Sequence, residues 1–284
     1  VKKCIVYFCL LFLFLSSANQ VGAGAWTQKR GKGFYKLSFR LIRADQFYEP
    51  TGNKIDIPTL SDYTTTFYGE YGLTARLTLV ANVPMFKRVT LNKQVGSNSG
   101  FVFFEGDSKS GVADSEVGVR LGLLPGGSSV LSAEILFGLP IGDDSQTNGL
   151  LTGDGEFNQL IKAQFGHSFY PKPLYFSGEF GFNNRTKGYS DEWHYAAEIG
   201  YTFSNKFLVS FKLRGVESRK NGNDTVVGGM GGLFANNQSY LSYGPEVSYI
   251  INETFGISAG IESATRAENV LSAPAFSFGV FVRR

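Results

Sequence analysis

Apolar and polar side chains alternate one for one along most of this chain. The plainest stretch sets Trp193, Tyr195, Ala197, Ile199, Tyr201 and Phe203 against His194, Ala196, Glu198, Gly200 and Thr202. Successive side chains of a strand leave opposite faces of the sheet, so one face here is apolar and the other polar. The same rhythm sets Tyr35, Leu37, Phe39 and Leu41 against Lys36, Ser38 and Arg40. It recurs in Val117, Val119, Leu121 and Leu123 against Glu116, Gly118, Arg120 and Gly122, and in Phe255, Ile257, Ala259 and Ile261 against Gly256, Ser258, Gly260 and Glu262. The pattern predicts strands near 34–43, 62–72, 76–85, 112–123, 130–140, 157–169, 174–184, 192–203, 207–217, 238–250, 255–264 and 272–282.

Each predicted strand is ~10–12 residues, the length that crosses a bilayer when tilted. Twelve is an even number, as in bacterial outer-membrane barrels. Connections alternate in length. Short ones fall at 73–75, 124–129, 170–173, 204–206 and 251–254; long ones fall at 44–61, 86–111, 141–156, 185–191, 218–237 and 265–271. Short periplasmic turns and long extracellular loops are the transmembrane arrangement, with both termini periplasmic. Closure removes every sheet edge, which lipid demands. A secreted sandwich also alternates, but its strands are ~5–6 residues and its loops lack this rhythm. The expectation is an all-β protein, a transmembrane antiparallel up-and-down β-barrel of about 12 strands. Pro245 falls inside a predicted strand and removes a ladder hydrogen bond, so a bulge is expected there.

The first residues are set apart. Lys2 and Lys3 precede an apolar run over 4–15, and Ala23-Gly24-Ala25 forms an A-x-A site before Trp26. These features predict a signal peptide over 1–25, cleaved near Ala25, and a barrel over 26–284. Twelve apolar residues are too few to span a bilayer, which takes ~20. Both cysteines, Cys4 and Cys9, lie in this segment. The exported chain therefore has no disulfide, cysteine nucleophile or thiolate metal site.

Composition narrows the class further. Charged residues make up 18% of the 284, below the ~25% of an average soluble domain. The 26 Phe, 14 Tyr and 35 Gly argue against disorder and against a helical bundle. Without Lys2 and Lys3, 25 of the 27 basic residues remain against 24 acidic ones. No basic run exists to track a phosphate backbone, so nucleic acid is not an expected partner.

Three segments carry a resemblance. They are Glu70-Tyr71-Gly72-Leu73-Thr74-Ala75-Arg76-Leu77-Thr78-Leu79 with Pro84 beyond it; Gly111-Val112-Ala113-Asp114 running into Val117-Gly118-Val119-Arg120; and Phe137-Gly138-Leu139-Pro140-Ile141-Gly142 with Leu151-Thr152-Gly153-Asp154-Gly155-Glu156. Together they resemble the bacterial outer-membrane barrel family named for a meta-pathway of phenol degradation, loosely grouped with the long-chain fatty-acid transporter type. The resemblance covers roughly residues 60–200. It implies an outer-membrane location and uptake of small molecules, apolar ones among them. The family label rests on operon context, so phenol itself is not carried over. Outer-membrane barrels often end in an aromatic residue used by the barrel-assembly machinery, an expected partner; this chain ends Phe281-Val282-Arg283-Arg284.

If the apolar face meets outer-membrane lipid, the alternate residues line the lumen. Seven are acidic: Glu70, Glu116, Glu134, Glu179, Glu198, Glu246 and Glu262. Six are basic: Lys36, Arg40, Arg120, Lys162, Lys212 and Arg214. They should form a belt of mixed charge around mid-barrel. Near-balance is what stability alone requires of buried ions; a constriction selecting permeants by charge and size is the functional reading. The loop over 218–237 sets Gly222, Gly228, Gly229, Gly231 and Gly232 among Val226, Val227, Met230, Leu233 and Phe234. Exposed mobility is the commoner behaviour of such a loop, and a plug or apolar lip is the alternative. Phe101, Phe103, Met230 and Phe234 are the lip candidates. Tyr63, Tyr68, Tyr71, Tyr201 and Phe203 suit interfacial girdles.

Enzyme signals are thin. His167 shares the apolar face with Phe165 and Phe169, while His194 points inward beside Asp191 and Glu192. Asp144, Gln146, Asn148 and Gly149, with Asp154 and Glu156 beyond, echo a calcium loop only loosely, and a solvated acidic loop is expected instead. No metal or cofactor is expected. The leading expectation is a non-enzymatic channel or transporter-like protein for passive uptake of small solutes. The alternatives are a closed structural or surface-interaction barrel with a salt-bridged lumen, and an outer-membrane hydrolase built on His194.

Overall fold

The computed structural model describes residues 24–145, 148–226 and 228–284. Residues 1–23 of the expected signal peptide, Gln146 and Val227 lie outside the described residues. Twelve strands form the wall: β1 (Gly33–Tyr48), β2 (Lys54–Gly72), β3 (Leu77–Leu91), β4 (Ser115–Leu124), β5 (Ser129–Leu139), β6 (Asn158–Ser168), β7 (Leu174–Arg185), β8 (Glu192–Phe203), β9 (Phe207–Ser218), β10 (Ser239–Ile250), β11 (Phe255–Glu268) and β12 (Ala275–Arg283). Each pairs antiparallel with its sequence neighbours. The sheet closes where β1 pairs with β12, from Phe34↔Arg283 to Ile42↔Ala275. Twelve strands ~4.8 Å apart and tilted ~40° enclose a wall of about 12 Å radius at the backbone.

The expected parity holds around the wall. Phe278 and Ile161 point outward and are 58% exposed, whereas Glu134 and Arg120 point inward and are 2% exposed. That is the reverse of a soluble protein and suits lipid outside and a polar lumen inside. One girdle candidate departs from it. Tyr68 shares the inward face of β2 with Glu70 and donates its hydroxyl hydrogen bond to that carboxylate.

Two predicted loops contain strand. Residues 44–61 are mostly wall, because β1 and β2 continue to a tip at 49–53, where the Glu49 amide donates to the Asn53 carbonyl at 2.8 Å. Over 86–111, β3 continues to Leu91 and its end pairs with a short strand, Asp107–Gly111. The barrel therefore stands taller on this side. Periodicity weakens above the membrane because neither face meets lipid, so these extensions carry no alternation to read.

Two irregularities matter. Thr65 faces Phe86 but Thr66 faces Pro84, so Met85 is an extra residue in β3. The bulge reverses the parity beyond it and turns Lys87, Val89 and Leu91 inward. At Pro245, by contrast, the expected bulge is absent. Tyr243 faces Ser263 and Glu246 faces Gly260 in one unbroken register. Gly244 lets the chains approach closely here, since a Cβ on it would lie 1.8 Å from the Ile261 carbonyl oxygen.

Candidate functional site

All thirteen residues of the expected belt are on the lumen side, and nine of them fall into two ion-pair networks. Arg120 is the centre of the first. Its Nη1 lies 2.9 Å from Glu70 Oε1 and its Nη2 lies 2.7 Å from Glu134 Oε2. Lys162 Nζ takes the other Glu134 oxygen at 2.7 Å and reaches Glu179 at 3.5 Å, and Gln164 donates to Glu179 at 3.0 Å. Register explains the contacts: Arg120 faces Glu134, and Glu134 faces Lys162, on consecutive strands. The second network joins strands remote in sequence. Glu246 holds Lys36 at 2.9 Å and Lys212 at 3.0 Å, and Lys212 leans toward Glu198 at 3.8 Å. Tyr175 donates its hydroxyl to Glu198. Arg214 meets Glu262 only loosely, at 3.5 Å, with about half its side chain open. Two belt residues have no ion pair among the described residues. Glu116 accepts a hydrogen bond from Asn82 at 3.0 Å, and Arg40 is exposed within the lumen.

Between the networks lies a cavity of about 400 Å³. Its walls combine the belt charges with Phe34, Val80, Leu136 and Phe281. Such a volume suits a small solute with an apolar body.

The lower end of this cavity is filled by the chain's own beginning. The segment over 24–28 runs inside the wall, and 29–32 lead from it to β1 past Gly72. Trp26 packs edge-on against Tyr175 at 6.1 Å and sits beside buried Leu208. Its carbonyl accepts a hydrogen bond from Arg120 Nη1 at 3.1 Å. Gln28 donates its side-chain amide to Glu70 at 2.7 Å and its backbone N–H to the Thr78 hydroxyl oxygen at 2.8 Å. Gly166 leaves room for the indole, since a Cβ there would lie 2.6 Å from the ring. Alternation could not show this strap, because it is not a strand. The one available signal was a tryptophan in the polar run ahead of the first strand.

The outer mouth is filled as well. The glycine-rich loop is exposed over 223–225 but turns inward at Leu233 to Asn236. Leu233 joins Leu60, Val89, Leu91 and Leu150 in a buried cluster, with Phe234 and Phe104 against it. Leu60, Val89 and Leu91 point into the lumen, so the loop lies inside the rim. Met230 donates its amide to Gly149 at 2.8 Å, tying this loop to the one over 140–157. Gly232, at φ 73°, fits under Phe47, whose ring a Cβ would meet at 2.2 Å. Lys87 pairs with Asp62 at 2.6 Å and lies 5.4 Å from the centre of the Phe234 ring. Of the lip candidates, Met230 and Phe234 belong to this plug. Phe101 and Phe103 do not: they are 63% and 68% exposed on a separate hairpin of Gln94–Val95 with Val102–Phe104.

The acidic loop is docked at its far end, at Asp154 and Glu156, while Asp144 is exposed as expected. Arg185, at the outer end of β7, binds Asp154, Glu156 and Glu192, each at 2.8 Å. Glu192 also holds His194 Nε2 at 2.9 Å, which engages the inward histidine in the rim structure. Asp143 is drawn to Lys109, which holds its carboxyl well below the usual range. Among the described residues no three acidic or histidine side chains converge as a metal site. Arg185 belongs to the inward parity set of Glu179, a signal the sequence carried. Its three partners could not be named from it, because they come from separate segments.

Burial pushes the Asp154 carboxyl up to about 7, although the Glu156 amide and the Arg185 guanidinium favour its charged form. The unfolded carboxyl titrates near 3.8, so between that value and about 7 the docked loop holds a proton that the free chain releases. Docking therefore weakens as pH rises through 7. Hydrogen exchange over 148–157, corrected for intrinsic rates, should show greater protection at pH 6 than at pH 8. Asp154→Asn should remove that difference, and an unchanged difference in the variant would disprove the assignment.

Comparisons with known proteins agree on the fold. Residues 50–279 match the family model described as "Putative MetA-pathway of phenol degradation". The crystal structure of an outer membrane channel from Pseudomonas putida F1 superposes with a TM-score of 0.69 at 14% identity, covering 93% of this chain and 100% of that one. The NanC porin superposes with a TM-score of 0.51 at 8% identity, covering 86% of this chain and 98% of that one. No curated protein matches the sequence.

Proposed function

The chain belongs to the family of the MetA-pathway of phenol degradation, and from that membership and its lumen we propose an outer-membrane channel for passive passage of small solutes. The observation that carries this reading is the cavity of about 400 Å³ inside a closed barrel, lined by the belt charges and by Gly24 at the start of the strap. A wall that only held the barrel together would need no such space. The solute enters when the outer loops part, rests against Phe34, Val80, Leu136 and Phe281, and leaves when the strap yields. Paired charges around it keep the lumen wet without a net field, so neither ionic sign is strongly favoured. The P. putida structure of the same fold is itself named a channel, which supports the assignment.

Further details accord with export to the outer membrane. Gly24 lies inside the barrel beside Glu179, and the A-x-A site just ahead of Trp26 supports cleavage near Ala25. Catalysis has no part in the proposal.

Single-channel recording of the folded, exported chain in a planar bilayer tests the reading. Small steady steps are expected. Glu116→Gln removes an acid with no basic partner, so it should shift the reversal potential in a salt gradient toward anions by several millivolts. Silence from a demonstrably folded barrel would overturn the channel and favour a closed, salt-bridged wall.

A further inference from the structure

The outward faces of the strands are apolar for most of their length, which makes the exceptions informative. On β1 the outward residues climb through Tyr35, Leu37, Phe39 and Leu41 and then reach Arg43. On β3 they climb through Leu79, Ala81 and Val83, pass the bulge at Met85, and reach Phe86 and Arg88. Between them β2 presents Phe67, Thr65 and Tyr63, with no charge. Tyr63 faces Leu41 on one side and Arg88 on the other, and Arg43 faces Ser61 one outward step beyond. The Cα atoms of the two arginines are thus two strands and two residues apart, about 12 Å at ~4.8 Å per strand and ~3.3 Å per residue. Two extended arginine side chains close that gap over Tyr63.

Both arginines are exposed, and neither makes an ion pair or a side-chain hydrogen bond among the described residues. Tyr63 is held by stacking on Phe39, with ring centres 6.4 Å apart. The nearest acid along either strand, Asp45, is exposed and bonded to neither arginine. From Tyr35 to Arg43 is about 26 Å along the strand, or roughly 20 Å of height at ~40° tilt. An outward apolar band is ~25 Å tall, so Arg43 and Arg88 stand at its outer edge. Cations left unpaired there meet lipid headgroups, and a guanidinium fork matches a phosphate with two parallel hydrogen bonds. The arginine stems can lie along the apolar wall while their heads stay at the interface.

We propose that Arg43, Arg88 and the Tyr63 hydroxyl form a clamp on the outside of the barrel for the phosphate of a phosphorylated lipid in the outer leaflet. The clamp rests on the outer-membrane reading above but not on conduction. It would anchor one lipid against the tall side of the barrel, where β1, β2 and β3 rise above the membrane.

The test uses the exported barrel folded in detergent and lipid A as the probe, a bisphosphorylated glycolipid whose retention is counted by native mass spectrometry. Wild type should retain it. Arg43→Gln with Arg88→Gln should retain it about tenfold less, since two charge-assisted contacts are lost. Lys172→Gln, at the opposite end of the barrel, should change nothing. Wild type should hold dephosphorylated lipid A no better than the double variant does. Equal retention of lipid A by wild type and the double variant would overturn the clamp. Displacement of the lipid by millimolar inorganic phosphate would overturn the lipid assignment in favour of a free-anion site. Recording from the same preparations separates the two proposals, because neither arginine faces the lumen. Arginine-dependent lipid retention in a barrel that never conducts would sink the channel and leave the clamp standing.

Discussion

Excising residues 26–31 from the exported chain should raise single-channel conductance by about threefold or more. The lumen has a backbone radius of about 12 Å, and side chains from the wall take up much of it. A tryptophan and its backbone then occupy a large share of what is left. Trp26 lies across that space, clamped by Tyr175 and Leu208 on one side and by Arg120 on its carbonyl. Gln28 fixes the segment a second time through Glu70 and Thr78. The wall should survive the deletion, because the strap supplies no ladder strand and Glu70 keeps Arg120. Trp26→Ala should give a smaller rise in the same direction. Unchanged conductance in both would mean that ions pass elsewhere and that the strap does not set the resistance.

Arg120→Met should destabilise the folded barrel by about 3–5 kcal/mol, the cost of breaking a buried ion pair by removing one partner. Glu70 and Glu134 have side chains only 1% exposed and share this guanidinium. Lys162 keeps hold of Glu134, but Glu70 is left with Tyr68 and Gln28, which cannot neutralise it. Urea titration of the barrel folded into lipid vesicles measures the loss. Adding Glu70→Gln to the variant should restore most of it, because the stranded charge is then gone. A loss below about 1 kcal/mol for Arg120→Met alone would show that water reaches the cluster and screens it.

These two sites illustrate what could be read from the chain and what could not. Alternation assigned Arg120, Glu70 and Glu134 to one side of the wall correctly, because the pleat of a strand fixes which side each residue leaves. It could not say that Arg120 would also hold the carbonyl of Trp26, 94 positions away. Lys87 shows the sharper failure. Counting by twos from Thr78 sends it outward, and one extra residue at Met85 turns it inward onto Asp62. Pro245 errs the other way, since a ladder can lose one hydrogen bond without losing register.

The sequence by itself determined the twelve strands, their inward and outward faces as far as the bulge at Met85, the short turns and the sign of each charge in the lumen. All of these follow from local rules: the period of the backbone, and the requirement that lipid meet apolar atoms and paired peptide groups. Only strand register, loop docking and closure of the barrel decided which charges touch. Closure brings Lys36 within 2.9 Å of Glu246 across 210 positions, and the docked loop brings Asp154 and Glu156 to Arg185 beside Glu192. The same holds for the strap and the plug. Their seats are made of side chains from several strands at once, such as Leu60, Val89 and Leu91 at the mouth and Tyr175, Leu208 and Arg120 below. No local pattern encodes such a surface; it exists only once the strands stand side by side.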